Sequence, residues 1–297
     1  MSAKSVAALR RWGKELLCKA EVENAVAECD WLLCHALGCT TTEMLLMETA
    51  ASDSNARFTE LINRRAAGEP VQYLLGKWDF YGLTFDVGEG VLIPRPETEL
   101  LAQRAVEIAS EIPTPVIVDL CAGTGCIGLT IARQVPQSQV WLVEKSSEAF
   151  AYLQQNAARF AATNTTLLQG DILTHDFCGI PPCDIICANP PYIPASKLLT
   201  LQREVRCEPA MALNGGADGL DFYRAIAASW TGGQRLRADT QRNRTPIKPG
   251  STILLELGDG QYEAVAHMFK EKGFEVSAIS DNAGHLRVLE ARKKENT

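Results

Sequence analysis

The stretch that decides the fold is Val116-Ile-Val-Asp119-Leu-Cys-Ala-Gly123-Thr-Gly125-Cys-Ile-Gly128. Its first five residues, Val116–Leu120, have the character of a buried strand, and the G-x-G-x-x-G spacing predicts a tight turn into a helix. Glycines at such a turn let the backbone approach a nucleotide-like cofactor, although a plain strand-to-helix turn also needs their conformational freedom. The stretch predicts the first strand–turn–helix unit of a nucleotide-binding α/β domain.

Alternating strand and helix patterns continue from this stretch towards the end of the chain. The predicted strands are Val116–Leu120, Val140–Val143, Thr166–Leu168, Asp184–Cys187, Thr252–Leu257, Glu275–Ile279 and Leu286–Ala291. Only a short turn separates the last two strands, which favours an antiparallel pair. We therefore predict an α/β fold, with a doubly wound Rossmann-like sheet that has one antiparallel edge strand.

The chain before this sheet has a different character. Residues 1–70 show helical periodicity only, as in the apolar positions between Val22 and Gly38. Residues 71–93 include apolar and aromatic residues that alternate around Gly82, which predicts a β-hairpin. We predict three parts: a small helical domain at 1–70, a β-hairpin linker at 71–93 and the α/β domain at 94–297.

Composition and charge narrow the classes of function. The chain has 297 residues and a net charge of −7. This negative charge disfavours a protein that binds a nucleic-acid backbone over a broad surface. Its ten cysteines form no C-x-x-C pair, so free thiols in a reducing cytoplasm are expected rather than a metal site. No run has the length of a membrane span, and residues 1–25 do not have the apolar core of a signal peptide. We expect a cytoplasmic protein with no metal, no membrane partner and no stable nucleic-acid partner.

Acidic residues at the strand ends indicate which cofactor the glycine loop holds. Asp119, at the mouth of the loop, would repel a dinucleotide pyrophosphate but attract the ammonium or sulfonium group of S-adenosylmethionine. Glu144 ends the next predicted strand, where a carboxylate can accept both ribose hydroxyls. Asp171 follows the third strand and either contacts the adenine amino group or caps a turn. The residues expected to bind S-adenosylmethionine are Asp119, Gly123, Thr124, Gly125, Gly128, Glu144, Asp171 and Asn189.

The tetrapeptide Asn189-Pro190-Pro191-Tyr192 follows the fourth predicted strand. Two successive prolines make a rigid turn, which can present the Asn189 side-chain oxygen and the Pro190 carbonyl side by side. Two convergent acceptors match the two hydrogens of a planar –NH₂ group, and Tyr192 can lie against that group. Holding a poorly nucleophilic amide or aryl-amine nitrogen in this way favours its methylation. We predict that Asn189, Pro190, Pro191 and Tyr192 are catalytic and bind the substrate.

With these motifs the chain resembles the protein-glutamine N5-methyltransferases that modify peptide chain release factors. The resemblance covers nearly the whole chain, and its most specific part is Ile93-Pro-Arg-Pro-Glu-Thr-Glu99. The other matching stretches are Pro70-Val-Gln-Tyr-Leu-Leu-Gly76, Phe80-Tyr-Gly82, Glu208-Pro209, Gly215-Gly216-Ala-Asp218-Gly219-Leu220 and Leu255-Glu256-Leu-Gly258 with Gln261.

The resemblance implies a substrate, a partner and further site residues. The substrate would be the glutamine of the Gly-Gly-Gln loop of class 1 release factors, methylated on its side-chain nitrogen with S-adenosylmethionine as donor. Asn189 and Pro190 would hold the amide, with Phe80 and Arg95 near the cofactor and substrate pocket. The helical domain would dock the release factor. Without the resemblance, Phe80 is equally well interpreted as a core aromatic residue of the hairpin.

Three other functions compete with this one. An amino-methyltransferase for nucleic-acid bases can use the same tetrapeptide on an adenine or guanine nitrogen, and it predicts a basic cleft. If the protein were a non-catalytic partner of the translation machinery, we would expect substitutions in the tetrapeptide, yet all four residues are present. A dehydrogenase is disfavoured because Asp119 is poorly placed for a pyrophosphate.

One segment departs from what the resemblance leads us to expect. Thr231–Pro246 is long and rich in arginine, and it contains Gly232-Gly233-Gln234, the tripeptide of the expected substrate loop. We interpret so short a match as chance. Self-methylation or blocking of the pocket by this loop is the alternative hypothesis.

Overall fold

The computed structural model describes residues 4–174, 179–231 and 247–294. These residues form two compact units. The helical unit comprises Met1–Trp78, Val87–Glu89 and Gln202–Cys207, and the sheet unit comprises Asp79–Asp86, Gly90–Leu201 and Glu208–Thr297. The helical unit thus includes a short segment from the middle of the chain, which no pattern in the sequence indicated. Among the described residues, no helix is both long and apolar enough to cross a membrane.

Five helices make up most of the helical unit. They are α1 (Val6–Lys19), α2 (Ala25–Leu37), α3 (Thr41–Leu46), α4 (Ser52–Ala66) and α5 (Val71–Leu75). Two short strands, β1 (Lys4–Ser5) and β2 (Thr49–Ala50), pair antiparallel. Leu17, Leu32 and Phe58 are among the side chains fully buried in this unit.

Local chemistry explains where these helices begin and end. Gly38 ends α2 in the left-handed conformation, with φ 68°, where glycine has no steric penalty. Thr40 and Glu43 form a reciprocal capping box at the start of α3, which satisfies two backbone N–H groups that the helix leaves free. The sequence therefore contains the stop of one helix and the start of the next within six residues.

A buried arginine organises the polar interior of the helical unit. Arg65 on α4 has a side chain that is 2% exposed, and its Nε donates to Glu28 Oε2 on α2 at 2.5 Å. Its Nη2 also pairs with Glu204, in the segment Gln202–Cys207. A buried guanidinium needs such partners because the cost of desolvating it is several kcal/mol. The arginine on α4 thereby connects α2 with the segment Gln202–Cys207 from the middle of the chain.

The sheet unit contains most of the remaining elements. Its strands are β3 (Lys77–Phe80), which starts in the helical unit, β4 (Leu83–Asp86), β5 (Val116–Leu120), β6 (Gln139–Glu144), β7 (Thr165–Gln169), β8 (Cys183–Ala188), β9 (Ile247–Glu256), β10 (Phe274–Ser280) and β11 (Leu286–Lys293). Its helices are α6 (Thr98–Ser110), α7 (Cys126–Gln134), α8 (Ser147–Arg159), α9 (Ala210–Leu213), α10 (Asp221–Ser229) and α11 (Tyr262–Lys270). Two 3₁₀ turns lie at Ala195–Thr200 and, in the helical unit, at Val205–Cys207.

The predicted α/β fold is confirmed. Seven strands form one sheet in the order β10-β11-β9-β8-β5-β6-β7. The predicted pair at the end of the chain is antiparallel. The one reversed strand, β11, lies second from the edge, because it pairs with both β9 and β10. The edge strand, β10, is antiparallel to β11 and therefore runs in the same direction as β9.

The register of the parallel strands aligns their carboxyl ends. Leu120 on β5 pairs with Val143 on β6 and with Ala188 on β8. Ala188 pairs in turn with Leu255 on β9. Each of these residues is the last or next-to-last of its strand, so the residues that follow them emerge in one row. The row lies where the chain order reverses between β5 and β8, which is the usual ligand position in doubly wound sheets.

We expect Arg65→Ala to lower the free energy of unfolding by about 3–5 kcal/mol, because it leaves the Glu28 carboxylate buried without its charge partner. The adjacent Arg64 is the matched control, since its side chain is 48% exposed where it pairs with Glu69. Arg64→Ala should cost at most about 1 kcal/mol. Urea unfolding followed by tryptophan fluorescence measures both, and equal costs for the two variants would contradict the assigned role.

Candidate functional site

A cavity of about 930 Å³, open solvent at its mouth included, lies at the row of strand ends in the sheet unit. Its lining includes the loop before α6, the glycine loop after β5, the ends of β6 and β7, the tetrapeptide after β8, and residues of α9 and α10. The residues predicted for the site that line it are Arg95, Gly123, Thr124, Glu144, Asp171, Asn189 and Pro191. Phe80, Asp119, Gly125, Gly128, Pro190 and Tyr192 are not among the lining residues.

The glycine loop has a conformation that its residue types explain. Gly123 and Gly125 have φ of 55° and 82°, values that favour glycine. A Cβ on Gly125 would lie 2.5 Å from Leu153 Cδ1, so the position also excludes a side chain. Cys121 shares the left-handed conformation, with φ 59°, and this residue lines the cavity. The loop therefore presents backbone and small side chains to any ligand.

Glu144 braces the loop from the neighbouring strand. Its Oε2 accepts from Gly123 N at 2.8 Å, and its Oε1 accepts from Ser146 N at 2.7 Å. Burial raises the pKa of Glu144, and the two backbone hydrogen bonds partly oppose this. Each carboxylate oxygen has a further lone pair, so the group can still accept hydrogens from a ligand in the cavity.

Asp171 caps a turn, which is one of the two roles considered from the sequence, and its contact with an adenine amino group stays a prediction. Its Oδ1 accepts from Leu173 N at 2.9 Å, as a turn cap does, and its Oδ2 pairs with Lys145 Nζ at 2.8 Å. Lys145 and Asp171 both line the cavity. The carboxylate is therefore held at the wall by groups on either side of it.

Asp119 lies beneath the loop rather than on its surface. The side chain is fully buried, and its Oδ2 accepts from Gly128 N in the first turn of α7 at 2.8 Å. Within the described part of the chain, its Oδ1 has no hydrogen-bond partner. Burial raises the pKa of Asp119 to about 7, although the Gly128 hydrogen bond lowers it. The geometry assigns Asp119 to holding the loop against the start of α7.

The tetrapeptide contributes Asn189 and Pro191 to the cavity wall. Asn189 Nδ2 donates to Thr98 Oγ1 at 3.1 Å, and Thr98 Oγ1 donates to Glu256 Oε2 at 2.5 Å. Thr98 also lines the cavity, whereas Glu256 is buried at the end of β9. A chain of two hydrogen bonds thus connects the tetrapeptide to the interior of the sheet unit.

Glycines and one glutamine hold the tetrapeptide from behind. A Cβ on Gly215 would lie 2.7 Å from Pro191 O, and a Cβ on Gly219 would overlap Tyr192 O. Gln261 Nε2 donates to Tyr192 O at 2.9 Å, while Gln261 Oε1 accepts from Gly258 N at 3.0 Å. The backbone of the tetrapeptide therefore has close neighbours on several sides and little room to move.

The stretch from Ile93 to Glu99 also contributes to the wall of the cavity. Ile93 N donates to Glu208 Oε2 at 3.1 Å, and Arg95 pairs with the same buried carboxylate. The helix that the stretch opens begins at Thr98, with Glu97 as its N-cap. Phe80 is buried, and its ring packs edge-on against Phe85 with centroids 6.1 Å apart. The structure thus places Phe80 in the core that supports the hairpin.

Sequence reasoning gave no role to Thr98, Glu208 or Glu256, all of which organise the site. Each belongs to a stretch quoted for the family resemblance. Their partners are distant in sequence: Thr98 meets Asn189 and Glu256 across 91 and 158 positions. Only the motifs themselves could have pointed to these residues.

Known proteins resemble the chain over most of its length. The family described as "PrmC N-terminal domain" matches residues 8–76, and the family described as "Methyltransferase small domain" matches residues 97–215. A release factor glutamine methyltransferase from Geobacter sulfurreducens is 40% identical over 287 residues, which cover 95% of this chain and 94% of that protein. The chain belongs to the release factor glutamine methyltransferase family. A member from Thermodesulfovibrio yellowstonii is 34% identical, over 91% of this chain and 94% of that protein.

A solved structure of low sequence identity shares the fold. The catalytic domain of hMettl16 in complex with MAT2A 3′UTR hairpin 6 superposes with a TM-score of 0.55 at 12% identity, over 80% of this chain and 83% of that one. At this identity the likeness concerns the fold alone. Among residues 4–174, 179–231 and 247–294, no group of three or more His, Cys, Asp or Glu side chains could hold a metal ion. Cys178 and the tripeptide Gly232-Gly233-Gln234 lie outside the described residues.

We expect Asp119→Asn to change how the stability of the protein depends on pH. An acid whose pKa is about 7 when folded, against an ordinary 3.8, holds its proton more tightly in the folded state than in the unfolded state. Its stabilising contribution is complete below pH 4 and is lost as the pH rises to about 7. The asparagine variant keeps an acceptor for Gly128 N without this loss.

Urea unfolding at pH 4.5 and 7.5 measures the difference. Between these values the variant should gain about 2–4 kcal/mol relative to the wild type. Because Glu144 and Glu256 also have raised pKa values, only the difference between the two proteins isolates Asp119. A constant difference across the range would contradict the assignment.

We expect Gly215→Ala to displace the tetrapeptide and lower methyl transfer by about tenfold or more, because its methyl group would overlap Pro191 O. Binding of the methyl donor, measured by calorimetry, should stay within about twofold. Gly260→Ala is the control, since Gly260 has φ 76° and open space where a Cβ would stand; it introduces strain without overlap. Equal activity of Gly215→Ala and the wild type would refute the packing argument.

Proposed function

We propose that this protein transfers the methyl group of S-adenosylmethionine to the side-chain nitrogen of the glutamine in the Gly-Gly-Gln loop of class 1 peptide chain release factors. Membership of the release factor glutamine methyltransferase family supports the substrate. One geometric observation supports the chemistry. Asn189 lines the same cavity as the glycine loop and Glu144, so an amide acceptor and a carboxylate suited to a nucleoside lie on either side of the loop that follows β5.

The lining of the cavity fits S-adenosylmethionine. Glu144 is braced with its oxygens at the wall, where it can accept ribose hydroxyls, as acids at this strand end do. Val143, Ala149 and Ile172 provide apolar surface next to it, which suits the faces of an adenine ring. Gly123 and Thr124 line the cavity at the glycine loop, and Arg95 lines it in the stretch before α6. Asp171 and its partner Lys145 complete the polar rim on the adenine side.

The substrate amide would meet the tetrapeptide. Asn189 Oδ1 would accept one of its hydrogens and the carbonyl of Pro190 the other, while Pro191 borders the cavity. The chemistry that bound S-adenosylmethionine supplies is an electrophilic methyl group. Acceptors fixed on both hydrogens favour a nitrogen that becomes tetrahedral and gains positive charge. The methylated nitrogen then loses one of these protons, which needs no strong base because the cation is acidic.

Tyr192 has a supporting part in this proposal. Its ring lies so close to Gly258 that a Cβ added to the glycine would come within 2.9 Å of Tyr192 Cδ2. Burial raises the pKa of the Tyr192 hydroxyl above its ordinary value, so the phenol stays neutral. We assign the ring to fixing the direction of the tetrapeptide and thereby of the amide held by Asn189.

The helical unit would bind the release factor outside its loop. It exposes several large apolar side chains: Trp12, Val26, Trp31, Leu45, Leu46 and Met47. Large apolar side chains exposed on a small unit offer contact area to a protein partner. The nine cysteines that the structure describes are free thiols, as expected of a protein that works beside the ribosome in a reducing cytoplasm.

Transfer of labelled methyl groups from S-adenosylmethionine tests the proposal. We expect label on purified class 1 release factor, and none on the same factor with its Gly-Gly-Gln glutamine replaced by alanine. Total RNA and DNA serve as parallel acceptors. Label on nucleic acid would be consistent with the fold and with the chemistry proposed for the tetrapeptide, but it would contradict the proposed substrate. Mass spectrometry of the enzyme after incubation would show an unmodified Gln234 peptide if no self-methylation occurs.

Asn189→Ala belongs in the same experiment. We expect turnover to fall by at least about a hundredfold, because the amide loses one of its two positioning acceptors. Affinity for S-adenosylhomocysteine should change little, since Asn189 is one of many lining residues. Unchanged turnover would remove Asn189 from the mechanism.

A further inference from the structure

The hydrogen bonds behind Asn189 run into the protein and end on a carboxylate. Asn189 Nδ2 lies 3.1 Å from Thr98 Oγ1, which lies 2.5 Å from Glu256 Oε2. Thr98 and Glu256 are 1% and 3% exposed, so the hydrogen bond between them is shielded from water. The first residue borders the cavity, and the last is at the end of β9. The arrangement links the wall of the site to a buried acceptor.

The chemistry of the three groups fixes the direction of every bond. A carboxylate can only accept, so the single hydroxyl hydrogen of Thr98 points to Glu256. The oxygen of Thr98 can then only accept from Asn189, which must turn its –NH₂ group towards Thr98. The carbonyl oxygen of Asn189 is the atom left for a ligand.

We propose that Thr98 and Glu256 are positioning residues, which orient the Asn189 carboxamide so that it presents an acceptor and not a donor to the substrate. This inference rests on the proposed function, in which the substrate amide donates a hydrogen to Asn189. The two ends of a carboxamide have nearly the same shape, so packing alone discriminates poorly between them. The buried carboxylate supplies the discrimination.

An inverted Asn189 would oppose the –NH₂ group of the substrate with its own –NH₂ group. Two donors facing each other lose a hydrogen bond and leave both groups unsatisfied. Inversion becomes possible when the residue at 256 can donate, because the Thr98 hydrogen is then free for Asn189 Oδ1. Glutamine at 256 has this property and almost the shape of glutamate.

The charges around Glu256 bear on its state. Burial raises the pKa of Glu256 most and Glu97 adds to this, whereas Thr98, Arg287 and Arg95 lower it, and together they bring the pKa to about 7. Above that pH the group is a carboxylate and accepts only. The assays below are therefore made at about pH 8, where the ionised form dominates.

The first pair of variants tests the hydroxyl. Thr98→Val keeps the shape of the side chain but removes the bridge, and we expect kcat to fall by about ten- to a hundredfold. Thr98→Ser restores the hydroxyl and should recover kcat to within about threefold of the wild type. Affinity for S-adenosylhomocysteine by calorimetry should be unchanged in both. Equal turnover of the valine variant and the wild type would overturn the proposal.

The second set tests polarity. We expect Glu256→Gln to lower kcat by about tenfold or more, although the protein still folds and binds S-adenosylhomocysteine. Asn189→Asp presents acceptors only, but it brings a second carboxylate to Thr98. Adding Glu256→Gln to Asn189→Asp should therefore raise turnover above that of Asn189→Asp alone. A double variant that is no better than Asn189→Asp would contradict the polarity argument.

A readout without donor or substrate separates this inference from the proposed function. In protein labelled with ¹⁵N-asparagine, the side-chain signals of Asn189 are identified by their loss in Asn189→Asp. We expect slow exchange with water for the hydrogen that faces Thr98, and exchange at least about tenfold faster in Thr98→Val and Glu256→Gln. If release factor accepts no methyl group but the exchange behaves in this way, the proposed orientation of the Asn189 carboxamide is supported and the proposed substrate is wrong. Rapid exchange in the wild type would refute the orientation itself.

Discussion

The site depends on one constraint, the shared register of four neighbouring strands. Because Val143, Leu120, Ala188 and Leu255 pair across the sheet, the residues that follow them leave the sheet side by side. That alignment places four groups at one end of the sheet: Glu144, the glycine loop, Asn189 and Glu256. A slip of one residue in any strand would turn its terminal side chain to the other face of the sheet. The hydrogen bonds of the backbone thus set the distances on which the chemistry depends.

Backbone and side-chain groups together hold the polar groups of the site. Glu144 accepts from two backbone N–H groups and Asp119 accepts from that of Gly128, whereas the Tyr192 carbonyl accepts from the side chain of Gln261. Glycines allow these approaches, since a single methyl group at Gly215 or Gly219 would overlap the tetrapeptide. Motifs that are separated in the sequence therefore act as parts of one rigid frame.

Much of this could be predicted from the sequence, and the remainder has physical reasons. Each of the seven strands of the large sheet overlaps its predicted range, and the pattern is strongest in central strands such as β5 and β8, which are buried on both faces. Some of the residues predicted in the glycine loop and the tetrapeptide line the cavity, namely Gly123, Thr124, Asn189 and Pro191. Asp119 does not, because nothing local shows which way its side chain turns. The links of Thr98 to Asn189 and Glu256 depend on register, which no single segment contains. The position of β11 next to β9 is equally non-local.

The insertion of β11 between β9 and β10 affects when the enzyme becomes complete. The strand that ends in Glu256 has β8 on one side and the strand Leu286–Lys293 on the other. The latter leaves a translating ribosome only after α11 and β10 have been made, because it follows them in the chain. Until it arrives, β9 has an open edge and the end of the row lacks its outer support. A nascent chain can therefore have the glycine loop and the tetrapeptide in place while the strand that carries Glu256 is still unsupported, so the catalytic wall is among the last parts of the sheet unit to mature.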